Sequence, residues 1–338
     1  MEAAIVILNY NGKEMLERFL PNVLNYSIFP VIIADNASSD DSVDFLKKSY
    51  PELRVLNIGQ NLGYAGGYNK ALDQLKGQFD YFILLNSDVE VSPNWDTILV
   101  DFLKQHPDTA AVQPKILSLQ NEGYFDYAGA CGGFLDSLGY PYCRGRILNT
   151  IEKDEGQYDQ SIEVDWASGA CLGVRAEFFE ELGGFRAEFF AHMEEIDFCW
   201  RLRKRGRKLY CVPESKVFHL GGGTLSKANS YKTYLNFRNS ILMLYLNLEM
   251  RGFREVFWKR LPLDMAAGMH LLLSQGPAHS KAVFNAYSDF FKMRRRMSKD
   301  SLLAPKLVKG CSDRSVLSII LTYYFQGKKK FSQLRSVK

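Results

Sequence analysis

Over the first hundred residues, short apolar runs alternate with stretches whose apolar positions recur every three or four residues. Ala3–Leu8 is a β-branched apolar run that stops at NYNG, and Lys13–Asn25 then sets Met15, Leu16, Phe19, Leu20 and Val23 on one helical face. The pattern repeats in PVIIADNASSDDS, where an apolar strand ends in acids and turn formers, with Ser39 or Asp40 placed to cap a helix over Ser42–Tyr50. LRVLNIG reads as a third strand and NLGYAGGYNKALDQL as a glycine-rich loop entering a helix. Tyr81–Leu85 is a fourth, more apolar strand that ends at NSDVEVSPNW. This alternation predicts an α/β fold with a doubly wound, mostly parallel sheet flanked by helices. In such sheets ligands bind beyond the carboxyl ends of the strands, which here carry Asn9, Asp35 and Asp88.

Further along, Asp96–Gln105 predicts a helix and Ala110–Leu117 a strand. Periodicity is then lost from Asn121 to Gln160 among Gly, Tyr and Asp, a long insertion that suits an acceptor loop or a small hairpin. VDWASGACLGVRAEFFEELGGF restores the pattern as strand Gly169–Val174 and helix Ala176–Leu182, closed by Gly183. FFAHMEEIDFCWRLRKRG predicts a helix over Ile196–Arg205, followed by strand Leu209–Val212, Pro213 and KVFHLGGGTL. From Tyr231 onward, YKTYLNFRNSILMLYLNLEM, WKRLPLDMAAGMHLLL, FFKMRRRMSK and SVLSIILTYYFQGKKK predict a helical region with apolar runs punctuated by basic clusters.

Charge divides the chain where the pattern changes. Residues 1–231 hold 22 Lys and Arg against 32 Asp and Glu, whereas residues 232–338 hold 20 against 6, so the net +4 conceals an acidic part and a basic part. A boundary near residue 230 follows, with residues 1–230 as one unit and 231–338 as another. The N-terminus carries Glu2 ahead of a short apolar run and reads as a first strand, not a signal peptide. No run reaches the 18 or so apolar residues of a spanning helix; Leu261–Leu273 is shorter and contains Asp264 and His270. The six cysteines form no CxxC pair and read as buried, reduced thiols.

Candidate chemistry gathers at five places. Glu194, Glu195 and Asp197 crowd three carboxylates just ahead of the basic Arg201, Arg203, Lys204 and Arg205. The positive end of a helix accounts for one or two of these acids, and an active site is the alternative reading for the third. Asp88 in NSD can hold a hard divalent cation against a diphosphate, or simply end a strand in a turn. His219 precedes Gly221, Gly222 and Gly223, where backbone can approach a ligand closely. Asp35 can meet a base or ribose edge or form an Asx turn. The loop Asn61–Asn69, with Gly63, Gly66 and Gly67, suits phosphate or sugar approach but matches neither the dinucleotide nor the P-loop fingerprint. Together these groups suit a diphosphate-linked donor held by metal and loops, with a carboxylate base acting on an acceptor hydroxyl.

The ordered motifs AIVILNYNG, ADNASSDDS, NLGYAGGYNKAL, ILLNSDVEVSP, ASGACLGVRAEFFEELGGF, FFAHMEEIDFCWRLRKRG and VFHLGGGTL, spanning about residues 3–225, resemble the inverting family 2 glycosyltransferases of the GT-A fold. Within them the likeness is to the rhamnosyltransferase-like and galactofuranosyltransferase-like branch. The resemblance implies that Tyr10 and Asp35 contact the nucleobase and that Asn61, Gly63, Gly66 and Asn69 shape the nucleotide-sugar pocket. It implies Asp88 as the last acid of a DxD-type motif binding Mn²⁺ or Mg²⁺, His219 as a second metal ligand, and the tract Trp166, Gly169, Ala170 and Cys171 on the acceptor side. Two positions depart from the family pattern. Asn86 replaces the first acid of DxD, where it can still reach a ribose or metal-bound water. Glu195 stands where the family usually places a catalytic Asp and is the expected base, with Glu194 and Asp197 as lesser candidates that position the acceptor or cap the helix.

The implied reaction is inverting displacement from a nucleoside-diphosphate sugar, such as dTDP-rhamnose or a UDP-sugar, onto a polyprenyl-diphosphate-linked surface glycan. A nucleotidyltransferase is the rival enzyme, although NYNGKEML is a poor triphosphate loop, and a non-catalytic GT-A-like scaffold is the rival of another kind. The basic helices suit attachment to an anionic membrane surface, which places the enzyme peripherally on the inner face of the cytoplasmic membrane. A plain helical subdomain or a homo-oligomer interface is the alternative, and no nucleic-acid-binding motif is present.

Overall fold

The computed structural model describes residues 2–221, 229–300, 302 and 316–334. The first half alternates as β1 (Ala3–Asn9), α1 (Lys13–Tyr26), β2 (Val31–Asp35), α2 (Ser42–Ser49), β3 (Arg54–Asn57), α3 (Gly63–Gln74), β4 (Tyr81–Asn86), β5 (Val89–Val91), α4 (Trp95–Gln105) and β6 (Thr109–Ser118). An insert follows with four short strands, β7 (Gly133–Leu135), β8 (Pro141–Cys143), β9 (Arg146–Ile147) and β10 (Thr150–Ile151). Then come β11 (Ile162–Glu163), β12 (Cys171–Arg175), α5 (Ala176–Glu181), α6 (Glu194–Lys204) and β13 (Lys208–His219). The C-terminal region supplies α7 (Ser230–Asn247), α8 (Met250–Gln275), α9 (Pro277–Met293) and α10 (Ile319–Phe325).

Among the described residues, nine strands form the main sheet in the order β11-β13-β6-β12-β4-β1-β2-β3, with β5 paired to β13. β3, β2, β1 and β4 run parallel, whereas β12 lies antiparallel between β4 and β6, so the sheet is mixed. Along β1 the side chains divide by alternation. Ala3, Ile5 and Ile7 join the core beneath α1 and α4, while Ala4 and Val6 join the core shared by α3, the insert, α6 and the C-terminal helices. Both faces are covered, which is why these strands read as unbroken apolar runs. Register aligns Leu8 with Asn86 and Asn9 with Asp35, setting their polar ends along one edge.

Three sequence expectations are corrected. The stretch 121–160 is no simple loop or hairpin: β7–β10 form a four-stranded antiparallel sheet, with Phe134 and Tyr142 buried against Phe331 of the C-terminal segment. Packing partners some 190 residues away in sequence decide this structure, and local periodicity cannot show them. The strand expected at Leu209–Val212 continues to His219, its register against β6 shifting between Val212 and Lys216 around Pro213, which cannot donate to the ladder. Finally, α6 begins at Glu194, two residues earlier than the apolar spacing suggests. Cys131, Cys143, Cys171, Cys199 and Cys211 are buried free thiols, as expected; Cys311, Gly222 and Gly223 lie outside the described residues. No helix among the described residues is long and apolar enough to cross a membrane.

Candidate active site

The carboxyl edge of β1, β2 and β4 is wired by short polar side chains. Asn9, fully buried, donates from Nδ2 to Asp35 Oδ1 at 3.1 Å and to Ser38 Oγ at 3.0 Å, and Asp35 Oδ2 accepts from the Ser38 amide. Asp35 is therefore anchored in a turn beside its neighbouring strand, one of the two readings its sequence left open. Asn36 extends the chain: its Nδ2 donates to Asn61 Oδ1 and to the Gly63 carbonyl, and its Oδ1 accepts from the Leu62 amide. Tyr10 stands at the rim of this edge, 41% exposed.

The glycine loop serves the acid cluster as well as the edge. Gly63 sits at φ +68°, and a Cβ there would come within 2.4 Å of the Phe190 carbonyl, which also accepts from the Ala65 amide at 3.1 Å. At Gly66 a Cβ would press on Leu62. Asn69 points elsewhere. Its amide clasps the Phe185 backbone, donating to the carbonyl at 2.7 Å and accepting from the N–H at 2.8 Å. Tyr64 donates to the Gly169 carbonyl at 2.7 Å, and its phenol is held well above its usual pKa by burial and then by the nearby charges of Tyr68, Glu194 and Glu195.

Ahead of α6 the backbone is strained: Phe190, His192 and Met193, all bulky, hold φ of 66°, 70° and 72°. What restrains them is α7, where Asn239 Nδ2 lies within 2.9, 2.9 and 2.7 Å of the carbonyls of Phe189, Ala191 and His192. Arg238 reaches the carbonyls of Glu188 and Phe189. The half-buried His192 ring is pushed down to about 4 by desolvation and by Lys232.

The three acids that follow are not equivalent. Asp197 is fully buried and its carboxylate is engaged by Arg201 Nε at 2.8 Å, Arg186 Nε at 3.2 Å and Asn247 Nδ2 at 2.6 Å, tying α6 to α7. Glu194 is buried, and desolvation, then the charge of Glu195, raises its pKa well above the ordinary range. Glu195 is half-buried, and burial raises it to about 7 against the opposing pull of the backbone N–H groups of Glu195, Ile196 and Met193. Oε2 of Glu194 and of Glu195 is without a hydrogen-bond partner among the described residues. Two neighbouring carboxyls raised by burial to different extents are the arrangement in which environment divides acid from base.

Trp166 is buried with its Nε1 donating to the Phe134 carbonyl, and its indole occupies the space where Gly133 lacks a side chain. Cys171 is fully buried at the start of β12, its thiol pushed up by desolvation. The Ala170 carbonyl accepts from the Asn86 amide at 3.0 Å, so this tract forms the floor next to NSD.

Asp88 and His219 meet. His219 Nε2 lies 3.2 Å from Asp88 Oδ1 while Nδ1 lies 2.9 Å from Asp126 Oδ1, and all three side chains are buried. Desolvation acts against a charged ring, but Asp126 and Asp88 outweigh it and raise His219 to about 10. A divalent cation bound at Nε2 would replace the proton held there. A carboxylate oxygen beside an imidazole nitrogen at a buried edge is a donor set that fits Mn²⁺ or Mg²⁺. Among the described residues no group of three or more His, Cys, Asp or Glu is arranged to enclose an ion, so remaining positions would fall to donor oxygens and water.

Sequence reasoning did not single out Asn36, Tyr64, Asp126, Arg238 or Asn239. Asn36 lies inside the quoted ADN motif, and Arg238 and Asn239 form an NFRNS break in an otherwise apolar helix, which was the available signal.

Residues 4–183 match the Glycosyl transferase family 2 domain. The chain is 30% identical over 230 residues to an N-acetylglucosaminyl-diphospho-decaprenol L-rhamnosyltransferase of Mycobacterium tuberculosis, covering 64% of this chain and 75% of that protein. It is 25% identical over 246 residues to the low-salt glycan biosynthesis hexosyltransferase Agl10 of Haloferax volcanii, covering 71% and 75%. Solved structures of the same fold include GalNAc-T7 with UDP, GalNAc and Mn²⁺ (TM-score 0.58, 17% identity, 88% of this chain and 56% of that one). Another is S. aureus TarS 1–349 in complex with UDP (TM-score 0.54, 14% identity, 86% and 80%). With a GT-A sheet, an edge of polar strand ends and a carboxylate pair at a helix start, the chain belongs to glycosyl transferase family 2 and is a glycosyltransferase.

Proposed function

We propose that this glycosyltransferase moves a sugar from a nucleoside-diphosphate sugar, such as dTDP-rhamnose or a UDP-sugar, to a hydroxyl of a polyprenyl-diphosphate-linked glycan, with inversion at the anomeric carbon. The observation that carries the reading is the inequality of the acids: Glu195 is half-buried and raised to about 7, while Glu194 is buried with its pKa raised well above the ordinary range and Asp197 is engaged by Arg186, Arg201 and Asn247. Glu195 takes the acceptor hydroxyl's proton as its oxygen bonds to the anomeric carbon. The bond from that carbon to the diphosphate breaks, and its electron pair leaves with the nucleoside diphosphate. Asp35 and Tyr10 hold the base end of the donor, and Asn61, Gly63, Gly66 and Asn86 shape the sugar and diphosphate channel. Trp166, Gly169, Ala170 and Cys171 form the wall on the acceptor side. Asp88 and His219 would hold a divalent cation, which neutralises charge on the leaving diphosphate. The family assignment replaces the nucleotidyltransferase and scaffold readings.

The donor is identified by screening nucleotide-sugars for Mn²⁺-dependent thermal stabilisation. One donor is expected to stabilise the protein only with Mn²⁺, and Asp88→Ala to abolish the shift. A shift of equal size in Asp88→Ala refutes the metal assignment.

The rhamnosyltransferase relative is named for a decaprenol-linked acceptor, and a lipid-linked acceptor requires access to a membrane surface. On α8, Trp258, Pro262, Ala266, Met269 and Leu273 recur at helical spacing on an exposed face, Trp258 at 66% and Leu273 at 86% exposure. Arg251, Arg254 and Lys259 lie exposed on the same helix, and Phe284 is exposed on α9. An apolar stripe bordered by cations suits the surface of an anionic leaflet. The full chain is expected to float with phosphatidylglycerol vesicles, and Trp258→Asp with Leu273→Asp to stay in the soluble fraction. Unchanged flotation of the double variant rejects this face, and concentration-dependent dimerisation lost in the variant assigns it to a second copy.

A further inference from the structure

Asp126 belongs to the insert and lies 93 residues from His219, yet the two side chains meet at 2.9 Å. Two further bonds fix Asp126 in place: its backbone N–H donates to the Ile116 carbonyl, and its Oδ1 accepts from the Ala128 amide at 2.7 Å. His219 is fixed on the other side. It ends β13 opposite Val89 of β5, and the amide of Leu220 donates to the Asp88 carbonyl at 3.0 Å. The ring is therefore oriented with Nδ1 toward the insert and Nε2 toward Asp88.

An imidazole offers a lone pair at only one nitrogen while the other carries the proton, and the hydrogen bond at the second nitrogen decides which. A carboxylate at Nδ1 holds the proton there, leaves Nε2 as the donor atom and raises its basicity. We propose that Asp126 is a positioning residue for the cation site: accepting from His219 Nδ1–H, it presents Nε2 to a divalent cation shared with Asp88. The inference rests on the reading of Asp88 and His219 as metal ligands. Asp126 itself acts from outside the ligand set, because its oxygen meets the nitrogen that faces away from Asp88. It follows that the insert contributes to cation affinity without contacting the donor.

The test titrates the purified full chain with Mn²⁺ alone, following free Mn²⁺ by electron paramagnetic resonance. Thermal unfolding without metal serves as the control. Asp126→Asn keeps an oxygen for the Ala128 amide and is expected to fold as the wild type, yet to bind Mn²⁺ about 10-fold more weakly; Asp126→Ala is expected to weaken it by about 10–100-fold. Asp126→Asn carries the test by itself if Asp126→Ala does not fold. If Asp88→Ala and His219→Ala lose Mn²⁺ while both Asp126 variants bind it as the wild type does, the positioning role is refuted and the metal reading stands. If Asp126→Asn abolishes binding as fully as Asp88→Ala, Asp126 is a direct ligand and the positioning role is likewise refuted. If Asp88→Ala and His219→Ala bind Mn²⁺ like the wild type, the metal reading itself fails, and this inference with it.

Discussion

The donor edge and the acid loop are built by different means. The donor edge is held by contacts between neighbouring strand ends, Asn9 with Asp35 and Asn36 with Asn61, about 25 residues apart in sequence and within the first parallel strands. The acid loop carries three bulky residues at positive φ and is held in place by α7 from the C-terminal region, through the carboxamide of Asn239. A sheet edge comes with the topology of the fold. A strained loop persists only where surrounding structure over-determines it. On the proposed reading, donor recognition and proton transfer would therefore depend on separable parts of the molecule, and substitutions are expected to disturb one while sparing the other.

The largest separation is expected at Glu195. Glu195→Gln removes the base and keeps the shape, so transfer falls about 100- to 10,000-fold while donor-induced thermal stabilisation is retained. The wild-type rate is expected to rise with pH through about 7 as Glu195 loses its proton, and this limb to be absent from the residual rate of the variant. The stability effect has the opposite sign. Because folding raises Glu195 from 4.5 to about 7, the folded state holds the proton more tightly, and stability from this group is lost as pH climbs across that interval. Measuring rate and thermal unfolding across pH 4–8 checks both signs, and a flat rate profile removes Glu195 as the base.

The same division explains what could be read from the sequence. Asn9, Asp35 and Asp88 were legible because apolar runs stop abruptly at or just before them, and the parallel register then sets Asn9 beside Asp35 and Leu8 beside Asn86, two residues ahead of Asp88. His219 was legible as a residue after an apolar strand, but its partner Asp126 was not, since it sits in an insert without periodicity. The start of α6 was misplaced because helix spacing follows apolar positions, whereas Met193, in left-handed conformation, ends the loop and lets Glu194 enter the helix. Asn69 was read as a pocket residue from its motif, and its amide is occupied by Phe185, a contact over 116 residues. The charge boundary near residue 230 separates composition, but α7 crosses it mechanically by holding the acid loop and Asp197.

A smaller effect, and the sharper test of the comparison, is expected at Asn239. Its amide has two protons for three carbonyl oxygens, so Asn239→Ala leaves buried acceptors unsatisfied and is expected to reduce stability by about 1–3 kcal/mol. The strain at Phe190, His192 and Met193 then relaxes, and the first turn of α6 moves with it, because Met193 is the residue from which the helix starts. Among the described residues, the strand-end edge shares no hydrogen bond with Asn239; it is linked to the loop through the Phe190 carbonyl, which accepts from the Ala65 amide. Transfer should therefore fall further than donor binding. Steady-state kinetics with the stabilising donor should show kcat reduced with KM for donor near wild type, at a temperature where both proteins are folded. A parallel loss of donor affinity would mean that the loop and the edge are one unit, and that the C-terminal helices support the whole site rather than its proton-transfer half.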